Sequence, residues 1–347
     1  MRHFLITLLI VFFIVPSNIL LGNGLSSYSD TTKSSCIQAA ARRLDEALSL
    51  MQKHYYKKEN VNWDSLITAA KIRLLASGDC EDALQTVNWC FRQINELHSF
   101  LMPTAAAALY NYDTAYLGKK PRIAQLVGEI NAELMSDKGI AYISIPWIGT
   151  SDSAICTKLA DSLQQLIAGL DRPGVSKWII DLRKNTGGNC WPMLAGIGPL
   201  LGEGICAYFI SPGEKIPISY RNGAAMQGSH VRCSVSRSPY KTKKDKKWII
   251  VLTGPKTSSS GEILALAFKG KEQAYQYGEP TAGLTTANTT YTLSDNSMLI
   301  LTICMEADRT GKVYDGKINP DQIINPESNY DMDDPVKSAA IMWLHIQ

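Results

Sequence analysis

The first part of the chain repeats apolar residues with a helical period. Apolar side chains fall on one face of three successive segments, at residues 37–51, 66–74 and 83–94. Recurrence at every third or fourth position is typical of amphipathic helices that share a core. The connections between the segments are short, which makes the helices neighbours. We therefore predict a small helical domain over residues 33–115.

Beyond about residue 115 the pattern changes to short apolar runs that are separated by turn residues and helical stretches. The runs GIAYISIPWIG (139–149) and KWIIDL (177–182) are typical of strands, with a helix at 153–170 between them. Three later runs continue the set, at residues 248–254, 274–278 and 297–305. Alternating strands and helices predict an α/β domain over residues 116–347 with a mostly parallel core sheet. The segment 206–220 has Pro and Gly in its turn, which predicts an added β-hairpin.

The N-terminus has the pattern of a secretory signal peptide at residues 1–24. Arg2 and His3 precede an apolar run at residues 4–15, and Pro, Ser and Asn follow it. A membrane-spanning helix is the alternative, but the run is shorter than the roughly 20 apolar residues that a span needs. We therefore predict an exported protein, periplasmic or extracellular, that is not stably inserted in a membrane after cleavage.

Composition argues against several classes of function. The formal net charge of +3 is too small to indicate a nucleic-acid partner. Neither a CxxC nor an HExxH motif is present, so we predict no metal and no other cofactor. Eight cysteines in an exported chain permit disulfides. Cys80 with Cys90 and Cys206 with Cys233 are possible pairs, and buried free thiols are equally compatible with the spacing.

Two strand ends are followed by residues that could meet a substrate. In IIDLRKNTGGN a predicted strand ends near Asp181, and Gly187 and Gly188 precede a predicted helix. Paired glycines let backbone N–H groups approach a ligand closely, and a helix start adds a partial positive charge. The pattern is compatible with a site for an oxyanion, but a simple tight turn has the same sequence.

The second strand end is PKTSSSGE, at residues 255–262, where three serines lie between a predicted strand and a predicted helix. Nucleophilic serines are often presented at such a corner. A serine here can equally cap the helix, with Glu262 completing a capping box. Both roles fit the pattern because three serines are present.

A nucleophilic serine near neutral pH needs a base. His98 closes the third predicted helix in NELHSFLMP, just before the domain boundary, where a side chain could face the second domain across a cleft. The other histidines of the mature chain are predicted on an exposed turn, in a polar loop or beside the C-terminus. The pattern favours His98 as the base, and a capping or packing role for it stays open.

Five segments in register resemble the C-terminal processing (tail-specific) serine peptidases, and among them the branch related to the catalytic core of tricorn protease. The segments are LHSF, WIIDLRKNTGGN, LTGPKTSSSGE, GEPTAGLTTAN and GKINPD. The resemblance implies that Ser259, three residues before the Glu of the motif, is the nucleophile. It also implies an oxyanion hole of backbone N–H groups, one from Ser260 and the other from Gly187 or Gly188.

The family divides over the general base. One branch uses a lysine in a TxGKG segment, where this chain has Leu284, which cannot accept a proton. The tricorn-like branch uses the histidine that corresponds to His98, which would also activate the deacylating water. That branch has a serine immediately before the histidine, whereas this chain has Leu97.

A third group is expected to orient His98. The resemblance implies an acidic residue in the C-terminal part of the catalytic domain. We predict Asp321, in NPD, for this role, with Glu327 and Asp315 as alternatives.

The predicted function is that of an exported serine endopeptidase that hydrolyses peptides or unfolded proteins through an acyl-enzyme. The segment between Pro103 and Gly139 is too short for the complete PDZ domain of many relatives. Two alternatives stay open. One is a catalytically weak or inactive member of this fold that binds peptides or small apolar ligands, and the other is a serine/lysine mechanism with Lys256 or Lys269 as base.

Overall fold

Three long helices open the part of the chain that the structure describes. The computed structural model describes residues 30–77, 82–135, 138–244, 246–325 and 333–347, so the predicted signal peptide and Cys80 lie outside it. The first helices are α1 (Asp30–His54), α2 (Trp63–Ser77) and α3 (Asp82–Gln93). They contain the three segments predicted from the helical period, except that α3 ends one residue before Ile94. Within the described residues, no helix is both long enough and apolar enough to cross a membrane.

The remaining elements alternate between short helices and strands. The helices are α4 (Thr104–Tyr110), α5 (Thr114–Leu117), α6 (Ser153–Leu170), α7 (Cys190–Leu201), α8 (Ser260–Phe268) and α9 (Pro335–His345). The strands are β1 (Phe100–Met102), β2 (Ala132–Met135), β3 (Ile140–Ser144), β4 (Lys177–Asp181), β5 (Gly204–Ser211), β6 (Glu214–Arg221), β7 (Ala224–Gln227), β8 (His230–Ser234), β9 (Trp248–Thr253), β10 (Ala274–Gly278), β11 (Thr286–Thr292), β12 (Met298–Ala307), β13 (Val313–Tyr314) and β14 (Gln322–Ile323). Two 3₁₀ turns lie at Lys58–Asn60 and Ile123–Gln125.

The first sheet is mostly parallel, in the order β14-β10-β9-β4-β3-β2, with only the β2–β3 pair antiparallel. Its central strands β3, β4 and β9 are buried on both faces. In β4, Ile180 belongs to the core formed with α6, α7 and α8, whereas Ile179 belongs to the core beneath α9. Burial on both faces explains why these strands are continuous apolar runs in the sequence. The predicted α/β class with a mostly parallel core sheet is confirmed.

The second sheet is antiparallel, in the order β1-β12-β5-β6-β7-β8, with β11 and β13 also paired to β12. The predicted hairpin is confirmed as β5 and β6. The assignment of residues 297–305 to the parallel core sheet was wrong, because β12 pairs antiparallel with β11 directly before it. Most of β12 is buried, so its apolar run looks like that of a parallel strand.

The two sheets and the helices stack in layers. Helix α8 contacts strands of both sheets, and α7 contacts α8 and the antiparallel sheet. On the outer side of the antiparallel sheet, α1 and α3 contact its strands and α2 packs against α1 and α3. That outer core includes Leu299 and Leu301 of β12 together with Leu44 of α1. The helical N-terminal part is therefore anchored to β12, while the division of the chain near residue 115 stays a prediction.

The cysteines do not form either of the predicted pairs. Cys90, Cys206 and Cys233 are buried free thiols. Cys206 and Cys233 instead contribute to the main hydrophobic core. Cys36 is disulfide-bonded.

Candidate active site

The site begins where β4 and β9 end side by side. These strands are parallel neighbours, so the loops that follow them emerge at the same edge of the sheet. Two hydrogen bonds join the loops: Ser258 N donates to Asn185 O at 3.1 Å, and Thr257 Oγ1 donates to Leu182 O at 2.9 Å. The Gly-Gly loop and the serine segment, which are over 60 residues apart in the sequence, thereby form one edge of the site.

Ser259 occupies a sharp turn between β9 and α8. Its backbone has φ 53° and ψ −117°, a conformation that a residue with a side chain rarely adopts. The same strand-to-helix geometry presents the nucleophile in enzymes with a nucleophile elbow. A side chain on Gly187 would crowd Ser258 O and Ser259 Cβ at 3.0 Å, so a glycine at this position leaves room for the turn.

Glu262 holds this turn from inside the protein. Its fully buried carboxylate accepts hydrogen bonds from Ser259 N at 2.9 Å, Gly283 N at 2.9 Å, Leu284 N at 2.7 Å and Thr281 Oγ1 at 2.5 Å. Burial raises the pKa of Glu262, and the four hydrogen bonds oppose that rise. The predicted capping contact of Glu262 is therefore present at the Ser259 N–H, and the carboxylate also fixes the segment that contains Leu284.

His98 reaches Ser259 from the other side of the site. Its Nε2 lies 2.8 Å from Ser259 Oγ, and its Nδ1 lies 2.8 Å from Thr286 Oγ1. In the tautomer that a general base requires, Nδ1–H donates to Thr286 and Nε2 accepts from the serine hydroxyl. Burial lowers the pKa of His98 to about 4, so the imidazole is neutral across the neutral pH range.

A polar network holds the backbone around His98. Glu96 Oε1 accepts from His98 N at 2.7 Å and from Ser99 N at 3.0 Å, and it also contacts Thr302 Oγ1 at 3.0 Å. Asn288 Nδ2 donates to His98 O at 3.0 Å. The histidine is therefore positioned by contacts to its peptide groups as well as by Thr286.

The structure does not bring Asp321 to His98. The Asp321 carboxylate accepts from Lys269 Nζ and from Gln276 N, each at 2.7 Å. Thr286 makes the contact that was predicted for Asp321. Asp315 contacts Lys57 at 3.8 Å, and Glu327 lies outside the described residues.

The Lys269–Asp321 ion pair also bears on the serine/lysine alternative. Lys269 directs its ammonium group to Asp321, and Lys256 is exposed on the loop before the serines. Neither lysine has a contact with Ser259 within the described part of the chain. Among the described residues, His98 is the titratable side chain that contacts the serine hydroxyl.

Two backbone N–H groups beside Ser259 are available to an oxyanion. Among the described residues, neither Gly188 N nor Ser260 N has an acceptor within the protein. Ser260 is the first residue of α8, where N–H groups lack helical partners and the helix dipole is positive. Gly187 N, by contrast, donates to Asn185 Oδ1 at 2.9 Å. Of the two glycines predicted for this role, the geometry therefore favours Gly188.

The Gly188 position requires a glycine. Its φ is +101°, and a Cβ there would overlap Ile148 O. Ser260 Oγ donates to Gly188 O at 2.5 Å, which joins the two loops directly beside the free N–H groups. A pair of preoriented donors suits a tetrahedral oxyanion because no reorganisation is needed as the charge develops.

Two residues of the site were missed from the sequence. The sequence contains a signal for Asn185, because it lies in NTGG, two residues before a glycine. Its side-chain oxygen accepts a hydrogen bond from the N–H of that glycine, Gly187. Its Nδ2 also donates to Ile145 O and Pro146 O, which fixes the Gly-Gly loop against the segment directly after β3. The sequence around Thr286 contains no comparable motif, because a threonine in a polar strand has no feature that indicates contact with a histidine.

A cleft of about 870 Å³ runs past the serine and the histidine. Residues before and within β1, the Gly-Gly loop, α8 and the antiparallel sheet line it, among them Leu97, Trp191, Phe209, Arg232 and Leu284. Its lining combines apolar and polar side chains, and its volume is in the usual range for a ligand site.

Comparisons with known proteins agree with this geometry. The model of peptidase family S41 matches residues 139–324. The nisin-resistance protein of Lactococcus lactis subsp. lactis is 32% identical over 207 residues, which are 59% of this chain and 60% of that protein. The chain thus matches about three fifths of the length of that curated relative.

Solved structures share the fold. A lipoprotein from Streptococcus agalactiae superposes with a TM-score of 0.68 at 22% identity, over 94% of this chain and 99% of the other. The photosystem II D1 C-terminal processing protease superposes with a TM-score of 0.52 at 14% identity, over 83% and 94% of the two chains. Because the family model matches more than half of the 347 residues, this chain belongs to peptidase family S41, the serine-type peptidase family that its motifs indicate.

Proposed function

We propose that the protein is an exported serine endopeptidase that hydrolyses peptide bonds through an acyl-enzyme, with Ser259 as nucleophile and His98 as general base. The observation that carries the proposal is the 2.8 Å contact between Ser259 Oγ and His98 Nε2 at a strand-to-helix turn. A serine and a base within hydrogen-bond distance form the minimum unit for nucleophilic catalysis at neutral pH.

The proposed first step is attack of Ser259 Oγ on the substrate carbonyl carbon. The serine proton passes to His98 Nε2, and the carbonyl oxygen becomes an oxyanion that accepts hydrogen bonds from Gly188 N and Ser260 N. The imidazolium then gives its proton to the departing amine as the C–N bond breaks, which leaves the acyl-enzyme. A water deprotonated by the neutral His98 attacks the ester and releases the acid product.

The third member of this arrangement is a hydroxyl and not a carboxylate. Thr286 Oγ1 can fix the tautomer and the ring orientation of His98, as an acceptor for Nδ1–H. It cannot compensate the positive charge that the ring gains in the transition state. We therefore propose a slow peptidase in comparison with enzymes in which a carboxylate contacts the histidine.

Three features support export to the periplasm or the extracellular space. The N-terminal sequence has a signal-peptide pattern, Cys36 is disulfide-bonded, and a structural relative is a lipoprotein. The name of the Lactococcus relative makes nisin a defined peptide to include among candidate substrates.

The test is active-site labelling followed by digestion. A fluorophosphonate should label the mature protein on Ser259, located by mass spectrometry, and Ser259→Ala should remove the label. His98→Ala should slow labelling by about 10²- to 10⁴-fold, the usual range for a general base. Lys269→Ala is the matched control, since it removes a cation near α8 without touching the serine, and it should label like the wild type.

Digestion of a proteome-derived peptide library, with nisin added, then separates a peptidase from a binding protein. Cleavage by the wild type but not by Ser259→Ala supports the peptidase. Labelling that survives Ser259→Ala would defeat the nucleophile assignment. Labelling without cleavage of any peptide would favour the alternative in which the cleft only binds peptides, which the missing carboxylate at His98 keeps open.

A further inference from the structure

A second carboxyl group lies in the cleft and plays no part in the proposed chemistry. Glu306, on β12, lines the cleft together with Ser259 and is 3% exposed. Its backbone N–H donates to Thr285 O at 3.1 Å. Its side-chain oxygen Oε2 is buried and has no hydrogen-bond partner among the described residues.

Glu306 differs in this respect from the other buried glutamates of the site. Glu262 accepts four hydrogen bonds, and Glu96 accepts two from backbone N–H groups and contacts a threonine hydroxyl. Buried carboxylates that serve the fold are normally satisfied in this way, because an unpaired buried polar atom is costly. Glu306 has a buried acceptor oxygen for which the described part of the chain offers no donor, which indicates that a bound ligand supplies one.

Apolar and sulfur-containing side chains are among the neighbours of Glu306. Phe209 of β5 lies directly opposite it in the antiparallel sheet, and Cys304 lies two residues earlier on the same face of β12. Both of these side chains, and Ile263 of α8, also line the cleft. Burial raises the pKa of Glu306 well above its usual value, and the charge of Glu262 adds to the rise.

The part of the cleft around Glu306 lies near the two oxyanion donors, Gly188 N and Ser260 N. Its position relative to these donors decides which part of a substrate enters it. Cys190 follows the Gly188–Asn189 pair directly, Ile263 lies one turn after Ser260, and both line the cleft with Glu306. A carbonyl held by Gly188 N and Ser260 N would therefore direct the side chain of its own residue between these loops and toward Glu306.

We propose that Glu306 forms the end of the subsite for the substrate residue whose carbonyl is attacked, and that this subsite takes a basic side chain, lysine or arginine. The proposal rests on the proposed function, because Ser259 defines the position of the subsite. An apolar wall fits the alkyl stem of such a side chain, and the Glu306 carboxyl group, ionised when the cation lies beside it, pairs with the charged head. The bound cation would supply the donor that Oε2 lacks.

The test compares three peptides that differ only in the residue before the scissile bond: lysine, its uncharged analogue norleucine, and leucine. For the wild type we expect the lysine peptide to have the highest kcat/KM. Glu306→Gln, which keeps the size of the side chain, should lower kcat/KM for the lysine peptide by about 10- to 100-fold, as expected for loss of a charge-assisted hydrogen bond. The norleucine peptide should change by no more than about threefold, because it makes no such bond.

Glu306→Leu provides a second variant, which should reverse the preference in favour of norleucine. The fluorophosphonate labelling rate of Ser259 is the control for folding, since it reports the nucleophile and the base and requires no basic side chain. It should be the same in the wild type and both variants.

Equal kcat/KM for the lysine and norleucine peptides in a labelled, active wild-type enzyme would overturn the subsite and leave the proposed function intact. An equal loss on both peptides in Glu306→Gln would also overturn it, because it would show a structural role for the carboxyl group. Absence of both labelling and cleavage in the wild type would overturn the proposed function, and the subsite with it.

Discussion

Two segments meet at the reactive centre, and each is held by a buried glutamate. The nucleophile corner, residues 254–262, is fixed by Glu262, which accepts from the Ser259 N–H. The base segment, residues 96–99, is fixed by Glu96, which accepts from the His98 N–H. In both segments the carboxylate accepts a hydrogen bond from the backbone N–H of the reacting residue. Neither carboxylate contacts the reacting side chain.

The two segments differ in how completely the glutamate is used. Both oxygens of Glu262 accept hydrogen bonds, and three of the four donors are backbone N–H groups of two separate segments. Glu96 makes its contacts to His98, Ser99 and Thr302 through Oε1 alone. The nucleophile corner therefore depends on the carboxylate as a whole, whereas the base segment depends on one oxygen and on a threonine hydroxyl at the ring.

The strongest test of this difference is Glu262→Gln. An amide has one acceptor oxygen, so in either orientation at least one buried backbone N–H faces an NH₂ group. We expect a loss of about 1–3 kcal/mol in the free energy of unfolding. The accompanying shift of Ser259 should lower kcat/KM by about 100-fold, a typical result of misplacing a reacting group.

Thermal or denaturant unfolding and steady-state kinetics on one peptide measure both effects. Glu272→Gln is the control, because Glu272 is exposed just beyond α8, and it should change neither. If Glu262→Gln were as stable and as active as the wild type, the corner would be held by its backbone bonds alone.

The sequence predicted those parts of the site that lie in a short recognisable motif directly after an apolar strand. Ser259, Ser260 and Gly188 each follow a buried apolar strand at a corner, so short motifs were enough to propose the two corners. The family resemblance then chose Ser259 and Ser260 among three serines and left Gly187 and Gly188 as alternatives. His98 was proposed from its place at a helix end and from the family resemblance. The structure brings these four residues together, although their catalytic roles stay proposals.

The orienting group could not be predicted in this way, and the reason is topological. Thr286 is the first residue of β11, a polar strand that reaches His98 only because it pairs with β12. That pairing depends on the register of the antiparallel sheet. The register could not be predicted, because strands β7, β8 and β11 lack the apolar runs from which the parallel sheet was predicted. The family resemblance implied a carboxylate, and Asp321, the residue predicted for it, is instead held at the other sheet by Lys269.

Removing the hydroxyl that contacts the ring is the next test. Thr286→Val keeps the shape of the side chain but leaves Nδ1–H of His98 without its acceptor. We expect kcat/KM to fall by about tenfold, the cost of one unpaired buried group, with little change in the unfolding midpoint. Thr286→Ser retains a hydroxyl and should keep most of the activity. Equal losses in the two variants would show that packing, and not the hydrogen bond, explains the role of Thr286.

A smaller effect is expected at the base segment itself. In Glu96→Gln the remaining oxygen can still accept from His98 N and Ser99 N, as Oε1 does in the wild type. We expect kcat/KM to stay within about threefold of the wild type and stability to fall by less than about 1 kcal/mol. A loss as large as that of Glu262→Gln would show that the charge of Glu96 matters and would remove the proposed difference between the two segments.

The smallest expected effect is that of pH, and it isolates the state of His98. Because burial lowers its pKa to about 4, the imidazole is already neutral at pH 6, and kcat/KM should change by less than about twofold between pH 8 and 6. An imidazole with the ordinary pKa of about 6.5 would lose roughly three quarters of its neutral form over the same range. The lowered pKa of His98 also affects the free energy of unfolding. The stability that the neutral, buried His98 contributes is fully present above pH 6.5 and is lost as the pH falls toward 4, because in that range the unfolded chain binds the proton and the folded chain does not. Thr286→Asp would place a carboxylate at Nδ1, which raises the pKa of His98 and should move the acidic limb of the profile to higher pH. A wild-type profile that already falls steeply between pH 7 and 6 would contradict a buried, uncompensated base.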